Sequence, residues 1–250
     1  MLDEGPVVSR RVWSVKGDES LEQDVQMPLE EPLSLQINES QVAVLMRLPG
    51  MEKELAAGFC VSEGLVASFA DVLTILHCGR ELPEVDQKAT DDDGSAAESR
   101  NQVSVLVRPE ALNEDARLDV VRLIRAGCGA VDVDRAELPL TPLADAMHVE
   151  AQAVLGLSAT MREGQRLHRR TGGVHAAALY DGAGELVALC EDVGRHNAVD
   201  KAIGYCLLRG IPLDDKMVLC SGRLSYEMVT KTIRARVPIL ASVSTPTALA

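Results

Sequence analysis

Between Leu186 and Val243 the chain reads strand, helix, strand, helix, strand, and this alternation constrains the fold more than any other feature. Leu186–Cys190, Met217–Cys220 and Ile239–Val243 are short apolar runs of strand length. Ala198–Leu208 sets Val199, Ala202, Ile203, Cys206 and Leu207 on one helical face, and Tyr226–Arg234 reads as a second helix. Helices of this length between strands predict parallel strands with right-handed crossovers. In such sheets ligands gather beyond the carboxyl ends of the strands. Those ends are Glu191-Asp192, Ser221-Gly222-Arg223 and Ser244-Thr245, so all three are expected along one edge.

The preceding chain supplies more α/β material. Val174–Tyr180 is a strand joined to the Leu186 strand through the turn Asp181-Gly182-Ala183-Gly184. Leu33–Ile37 and Val42–Arg47 flank the polar turn Asn38–Gln41 and predict a hairpin. Glu52 to Val66 reads as an amphipathic helix opened by acidic residues, Val72–His77 and Val103–Val107 as strands. Pro109 to Arg125 and Pro142 to Leu155 are expected to be helical. Asp86–Arg100 is polar, carries an acidic triplet and is expected to be a mobile loop.

Composition narrows the function. The net charge of −13 is uneven: −12 over residues 1–100, −4 over 101–150 and +3 over 151–250. The overall acidity and the 2% aromatic content argue against a nucleic-acid partner, which needs cationic grooves and stacking rings. The last hundred residues remain suited to a small anion. The N-terminus lacks the basic and apolar regions of a signal peptide, and no apolar run approaches the roughly 20 residues needed to span a bilayer. Six scattered cysteines without a C-x-x-C pair do not read as a disulfide framework. The expected setting is the cytoplasm, with no membrane partner.

Two turns carry the polar chemistry. After the Leu186 strand come Glu191, Asp192, Gly194, Arg195, His196 and Asn197, just ahead of a helix. A helix N-terminus offers unpaired N–H groups and a positive dipole end to an anion, and Arg195 adds a planar fork for phosphate or carboxylate. Plain capping, with Asn197 as N-cap and Asp200 in the first turn, also explains part of this cluster. Ser221, Gly222 and Arg223 repeat the arrangement after the next strand, with Ser225 in position to cap the following helix. Lys231, Arg234 and Arg236 either add positive potential or form a solvated helix face. His175 enters its strand behind Gly172-Gly173, where a structural role competes with a ligand role. Zinc-dependent deamination is disfavoured: His175 is followed by Ala176-Ala177, and the paired cysteines of H-x-E…P-C-x-x-C sites are missing. No metal ligands are assigned.

Cys128 stands apart from the other cysteines. Cys60 and Cys206 fall in helical patterns, and Cys78, Cys190 and Cys220 end strands, as small core residues do. Cys128 lies between Gly127 and Gly129, where its sulfur can be exposed. Arg122 and Arg125 upstream favour a thiolate, whereas a helix C-terminus there opposes one.

Five segments together resemble the formate dehydrogenase accessory sulfurtransferase family, FdhD. They are EEPLSLQIN (Glu30–Asn38), VLMRLPGMEKELAAGFCVSEGL (Val44–Leu65), TGGVHAAAL (Thr171–Leu179), EDVGRHNAVDKAIG (Glu191–Gly204) and SGRLSYEMVTKTIRARVPILAS (Ser221–Ser242). The resemblance implies an α/β fold with a cytidine deaminase-like C-terminal domain over residues 161–250 that binds the cofactor. A smaller α/β region over 1–126 and a loop with connecting helix over 127–160, carrying Cys128, complete the expected organisation. It further implies that Cys128 accepts persulfide sulfur from a cysteine desulfurase. The acceptor would be the molybdenum or tungsten of a bis(pterin guanine dinucleotide) cofactor, before its insertion into the catalytic subunit of formate dehydrogenase. The guanine nucleotide moiety would bind near His175, Asp192, Arg195, His196, Asn197, Ser221, Gly222 and Arg223. A homodimer is the expected assembly.

Two departures qualify the resemblance. Many family members carry a C-G-x-C-G loop, whereas this chain has Gly127-Cys128-Gly129-Ala130. The family usually continues beyond the point where this sequence ends, into a further strand and a basic segment implicated in cofactor binding. A non-catalytic chaperone that carries the molybdenum cofactor is therefore the alternative to a sulfurtransferase. A nucleotide-binding regulatory module is a third reading, and it explains neither Cys128 nor the N-terminal segments.

Overall fold

The computed structural model describes residues 6–77, 100–113, 122–124, 140–143 and 147–250. Cys78, Cys128 and the acidic stretch expected as a loop, apart from Arg100, lie outside the described residues. Strands β1 (Val7–Lys16) and β2 (Glu19–Pro28) form a separate antiparallel ribbon. Its base meets the rest of the chain where Pro28 packs on Gly173 and Arg170 donates to Gln26.

A five-stranded sheet comes next, built from β3 (Glu31–Ile37), β4 (Ser40–Arg47), β5 (Val72–His77), β6 (Gln102–Val107) and β7 (Arg122–Ile124) in the order β5-β6-β3-β4-β7. The predicted hairpin is β3–β4. Its turn holds Asn38 and Glu39 at φ 46° and 69°, the positive-φ pair that matches the twist of two antiparallel strands. Asn38 also bonds both the N–H and the C=O of Val107, tying the turn to β6. Alternation along the strands buries Leu33, Leu35, Ile37, Val103, Val105 and Val107 against helix α1 (Glu52–Ser62). Each such aliphatic side chain contributes roughly 1.5–3 kcal/mol.

The helix expected from Pro109 to Arg125 is not found where that stretch is described. Pro109–Ala111 is a single 3-10 turn, and Arg122–Ile124 is a strand parallel to Ala43–Leu45. A short apolar run satisfies helix and strand patterns alike, and the open edge of β4 decides for strand. The helix expected from Pro142 also starts later: α2 spans Ala151–Gly164, and its Leu157 and Met161 pack on the second sheet. A shorter helix of six residues, α3 (Arg166–Thr171), follows it.

The second sheet holds β8 (His175–Tyr180), β9 (Leu186–Asp192), β10 (Met217–Cys220) and β11 (Ile239–Ser242) in the order β11-β10-β8-β9. Here the parallel expectation needs correction. β10 and β11 are adjacent and parallel, but β8 lies between β9 and β10 and runs antiparallel to both. The tight Asp181–Gly184 turn makes a β8–β9 hairpin, and helix α4 (Arg195–Leu208) then carries the chain to the far side of β8. Helix α5 (Tyr226–Arg234) links β10 to β11. The carboxyl ends of β9, β10 and β11 still share one edge, and the inserted β8 adds its amino end to it.

The two sheets stack through their helices, since α1 packs on the first sheet and also on α4 and α5. The α1–α4 crossing is closed to backbone contact at two glycines. A Cβ on Gly58 would meet the Asp200 carbonyl oxygen at 1.8 Å, and one on Gly204 the Glu54 carbonyl oxygen at 1.8 Å.

Candidate functional site

The shared sheet edge gathers the expected residues His175, Asp192, Arg195, Ser221, Gly222 and Arg223. His175 opens β8 opposite Asp192, which ends β9. Ser221 follows β10, donates its N–H to Ala176 O at 2.9 Å, and accepts Ala176 N–H on its Oγ at 2.9 Å. The same hydroxyl lies 3.3 Å from His175 Nδ1. Gly222 packs on the Arg195 stem: a Cβ there would sit 3.0 Å from Arg195 Cβ and Cδ and 3.4 Å from His175 Nδ1. Any larger residue would displace Arg195. Arg223 follows and is exposed. Ser242 Oγ donates to Gly222 O at 2.7 Å and accepts Ser244 N–H at 2.9 Å, so the end of β11 joins the same edge.

Two helices begin here. The N-cap of α4 is Gly194, not the expected Asn197, and Gly194 has no side chain with which to cap. Ser225 is the N-cap of α5 and makes no side-chain capping bond. The start of α4 therefore offers uncapped N–H groups and a positive dipole end, where an anion is favoured, whereas at the start of α5 the Glu227 carboxylate accepts its own backbone N–H. Arg195 Nε is buried without a partner, as is His196 Nε2. Such atoms are costly unless a ligand or water answers them. Burial, with Lys231 and Arg195 nearby, pushes the His196 pKa down to about 4. Burial, Arg195 and His168 lower that of His175 as well. Both imidazoles are thus neutral at physiological pH, each with one donor and one acceptor nitrogen. The positive charge on this edge comes from Arg195 and Arg223.

Asp192 and Asn197 point the other way. Asp192 is fully buried. Its Oδ1 accepts Gly194 N–H at 2.9 Å and Asn197 Nδ2 at 3.0 Å; its Oδ2 accepts Leu48 N–H at 3.1 Å and pairs with Lys201 Nζ at 2.7 Å. Asn197 Nδ2 also donates to Met46 O at 2.7 Å. These two residues hold the turn rather than face a ligand. Asp200 is not a capping residue either: it is buried with Lys231 Nζ at 2.8 Å and Ser62 Oγ at 2.6 Å. Lys231 also pairs with Glu63 at 2.7 Å, so it adds nothing to the cationic edge. Two carboxylates share one ammonium in this cluster. Burial pushes Asp200 up to about 6, and the two carboxylates raise Lys231 above its ordinary value. Glu191 caps α3, accepting the N–H groups of Leu167 and His168 at 2.9 and 2.8 Å.

Sequence reasoning missed Lys201, Ser62 and Glu63. The available signal was an adjacent Asp-Lys pair inside the apolar window of α4, a place where charges survive only when paired. Cys60, Cys190, Cys206 and Cys220 are all buried, as expected. Burial pushes their thiols up to about 12, 12, 11 and 12, so none offers a thiolate at neutral pH. Among the described residues no three His, Cys, Asp or Glu side chains are grouped to hold a metal ion. No described helix is long and apolar enough to cross a membrane.

With this geometry established, comparison with known proteins is direct. The model of the FdhD/NarQ family matches residues 28–250. The sulfur carrier protein FdhD of Mycobacterium tuberculosis is 35% identical over 249 residues, covering 96% of this chain and 87% of the relative. That of Streptomyces coelicolor is 39% identical over 228 residues, covering 88% and 77%. A crystal structure described as a formate dehydrogenase accessory protein from Desulfotalea psychrophila superposes with a TM-score of 0.70 at 24% identity, over 97% of this chain and 85% of that one, and so shares the fold. The chain belongs to the FdhD/NarQ family.

Proposed function

We propose that this member of the FdhD/NarQ family is a cytoplasmic sulfurtransferase: Cys128 carries persulfide sulfur, and the edge around Arg195 and Arg223 binds the guanine nucleotide part of a molybdenum or tungsten bis(pterin guanine dinucleotide). In this reading the sulfur donor is a cysteine desulfurase and the client is the catalytic subunit of formate dehydrogenase. A homodimer and a cytidine deaminase-like C-terminal region belong to the same reading. A mixed four-stranded sheet with helices on both faces supports the latter.

One observation carries the proposal. Strand β4 leaves its sheet toward the ligand edge, where Met46 O and Leu48 N–H bond Asn197 and Asp192. Strand β7 runs parallel beside it, with Ile124 opposite Leu45, and Cys128 is four residues further along the chain. The described end of β7 lies beside the part of β4 that leads to the ligand edge, and this supports giving the sulfur-carrying role to Cys128. The burial of the four described cysteines leaves Cys78 and Cys128 as candidates for a reactive thiolate, and of these only Cys128 has glycine on both sides.

The chemistry needs no resident metal. The Cys128 thiolate attacks the outer sulfur of the desulfurase persulfide, a new S–S bond forms, and the electron pair of the old one leaves with the desulfurase thiolate. Arg195, the uncapped start of α4 and the neutral imidazoles of His175 and His196 orient the nucleotide. In the second step the Cys128 S–S bond breaks: the reduced metal of the cofactor, as substrate, would supply the electron pair for its new bond to sulfur and be oxidised by two electrons, while Cys128 leaves as its thiolate.

The test is to incubate the protein with a cysteine desulfurase and cysteine and to map persulfide by mass spectrometry. Sulfur is expected on Cys128. Its absence, together with full formate dehydrogenase activity in cells carrying Cys128→Ala, would overturn the sulfur-relay half and favour the cofactor chaperone.

A further inference from the structure

Leu48 lies just beyond β4, yet its backbone is bonded as if another strand lay beside it. Its N–H donates to Asp192 Oδ2 at 3.1 Å, and its C=O accepts Lys201 Nζ at 2.8 Å. The Lys201–Asp192 pair, 2.7 Å apart and almost wholly buried, takes the place of that strand. The other oxygen of Asp192 grips Gly194 N–H and Asn197 Nδ2, the residues on either side of Arg195 and His196. Directly after Leu48 the chain turns through Gly50 at φ 101° and Met51 at φ 62° into α1. At its other end α1 reaches the same region, through the Ser62 and Glu63 contacts to Asp200 and Lys231.

We infer that Lys201 is a positioning residue for the ligand edge: with Asp192 it locks the turn 192–195 onto the backbone of Leu48, so that the N-terminal region holds the anion-binding start of α4 in place. Lys201 reaches no ligand itself. Its Nζ is spent on Asp192 and Leu48, beneath the turn whose opposite face carries Arg195. Stability alone does not require charges here, because a buried ion pair exchanged for neutral groups of similar volume is often no loss. What a neutral pair cannot do is serve four donors through two carboxylate oxygens while also donating to the Leu48 carbonyl.

The experiment compares full-length wild type, Lys201→Met and the double variant Asp192→Asn/Lys201→Met. Hydrogen exchange is read at the hydrogen-bonded amides of Leu48, Gly194 and Ala198, alongside thermal unfolding and GDP affinity. Lys201→Met should speed exchange at those amides at least tenfold and weaken GDP at least tenfold, while persulfide loading by a desulfurase stays within twofold. The double variant removes the stranded buried charge, so its melting temperature should return close to wild type while fast exchange and weak GDP binding persist. The double variant also carries the test if Lys201→Met fails to fold. Wild-type exchange in either folded variant, or an affinity loss fully reversed in the double variant, overturns the positioning role. The affinity arm rests on the nucleotide reading proposed above. If wild-type protein does not bind GDP but the exchange result is as expected, that reading fails and the positioning role stands.

Discussion

The turn after β9 and the turn after β10 occupy equivalent places at the same sheet edge, and each leads into a helix whose N-cap residue makes no side-chain capping bond. Their polar residues do opposite work. In the first, Asp192, Asn197, Asp200 and Lys201 are all at most 5% exposed and bind the N-terminal region. In the second, Arg223 is exposed, and Ser221, Leu224 and Ser225 are half-buried. The first turn is a weld in which Arg195 Nε and His196 Nε2 stay without a protein partner; the second is an open rim. The difference follows from α1, which covers α4 closely enough for backbone contact at Gly58 and Gly204 and meets α5 less extensively. The edge is thus held by buried pairs on one side and open to solvent on the other.

The strongest way to break this comparison is Lys231→Met, which strands Asp200 and Glu63 without their shared cation. Removing one partner of a buried pair costs about 3–5 kcal/mol, so urea unfolding should show a loss of that size, against at most about 0.5 kcal/mol for Arg223→Ala on the rim. Next is Gly204→Ala, which forces α4 off α1. Overpacking of this kind costs about 1–3 kcal/mol, and the shift should appear in the melting temperature. Arg195→Ala should barely change stability yet weaken GDP by about tenfold or more, the loss of a charge-assisted bond worth roughly 1.5–3 kcal/mol. Unchanged affinity in that variant would remove Arg195 from the site.

A further prediction concerns pH. The Asp200 carboxyl titrates near 6 in the fold and near its ordinary 3.8 when unfolded, so the folded state holds the extra proton between those values. Its contribution therefore favours the fold at low pH and declines as pH rises from about 4 to about 6, then stays flat. Lys231 has the same sign in a higher window: burial lowers its pKa but Asp200 and Glu63 raise it further, so its support for the fold is complete below 10.5 and fades above it. Asp200→Asn should flatten the acid-side slope in unfolding curves collected across pH 4–7, and an unaltered slope would assign the titration elsewhere.

Much of the edge was legible because strand ends and turns are local features. Apolar runs marked β8 to β11, the glycines marked their exits, and Arg195, Ser221, Gly222 and Arg223 fell where those exits converge. His175 was legible as a residue type but not as a neighbour of Ser221, since only the insertion of β8 between β9 and β10 brings them to 3.3 Å. Asp192 and Asn197 were legible as polar and misread in direction. Whether a carboxylate at a turn faces a ligand or a buried lysine depends on what packs beneath it, here Leu48, 144 residues away in the chain. The strand Arg122–Ile124 was read as helix for a similar reason: three residues carry no periodicity, and the vacant edge of β4 is not written in them.

By itself, then, the sequence determined the strand–helix alternation, the convergence of three strand ends on one edge, the turn residues that permit it, and the kinship to one family. Those depend on periodicity, backbone freedom at glycine and the order of residues along the chain. Tertiary structure alone decided that the polar motif over residues 191–201 is mostly a seam between two regions, in which Arg195 Nε and His196 Nε2 are left without a protein partner. Charges so far apart in sequence select their partners by burial, because only in a desolvated contact is an unpaired ion too costly to leave.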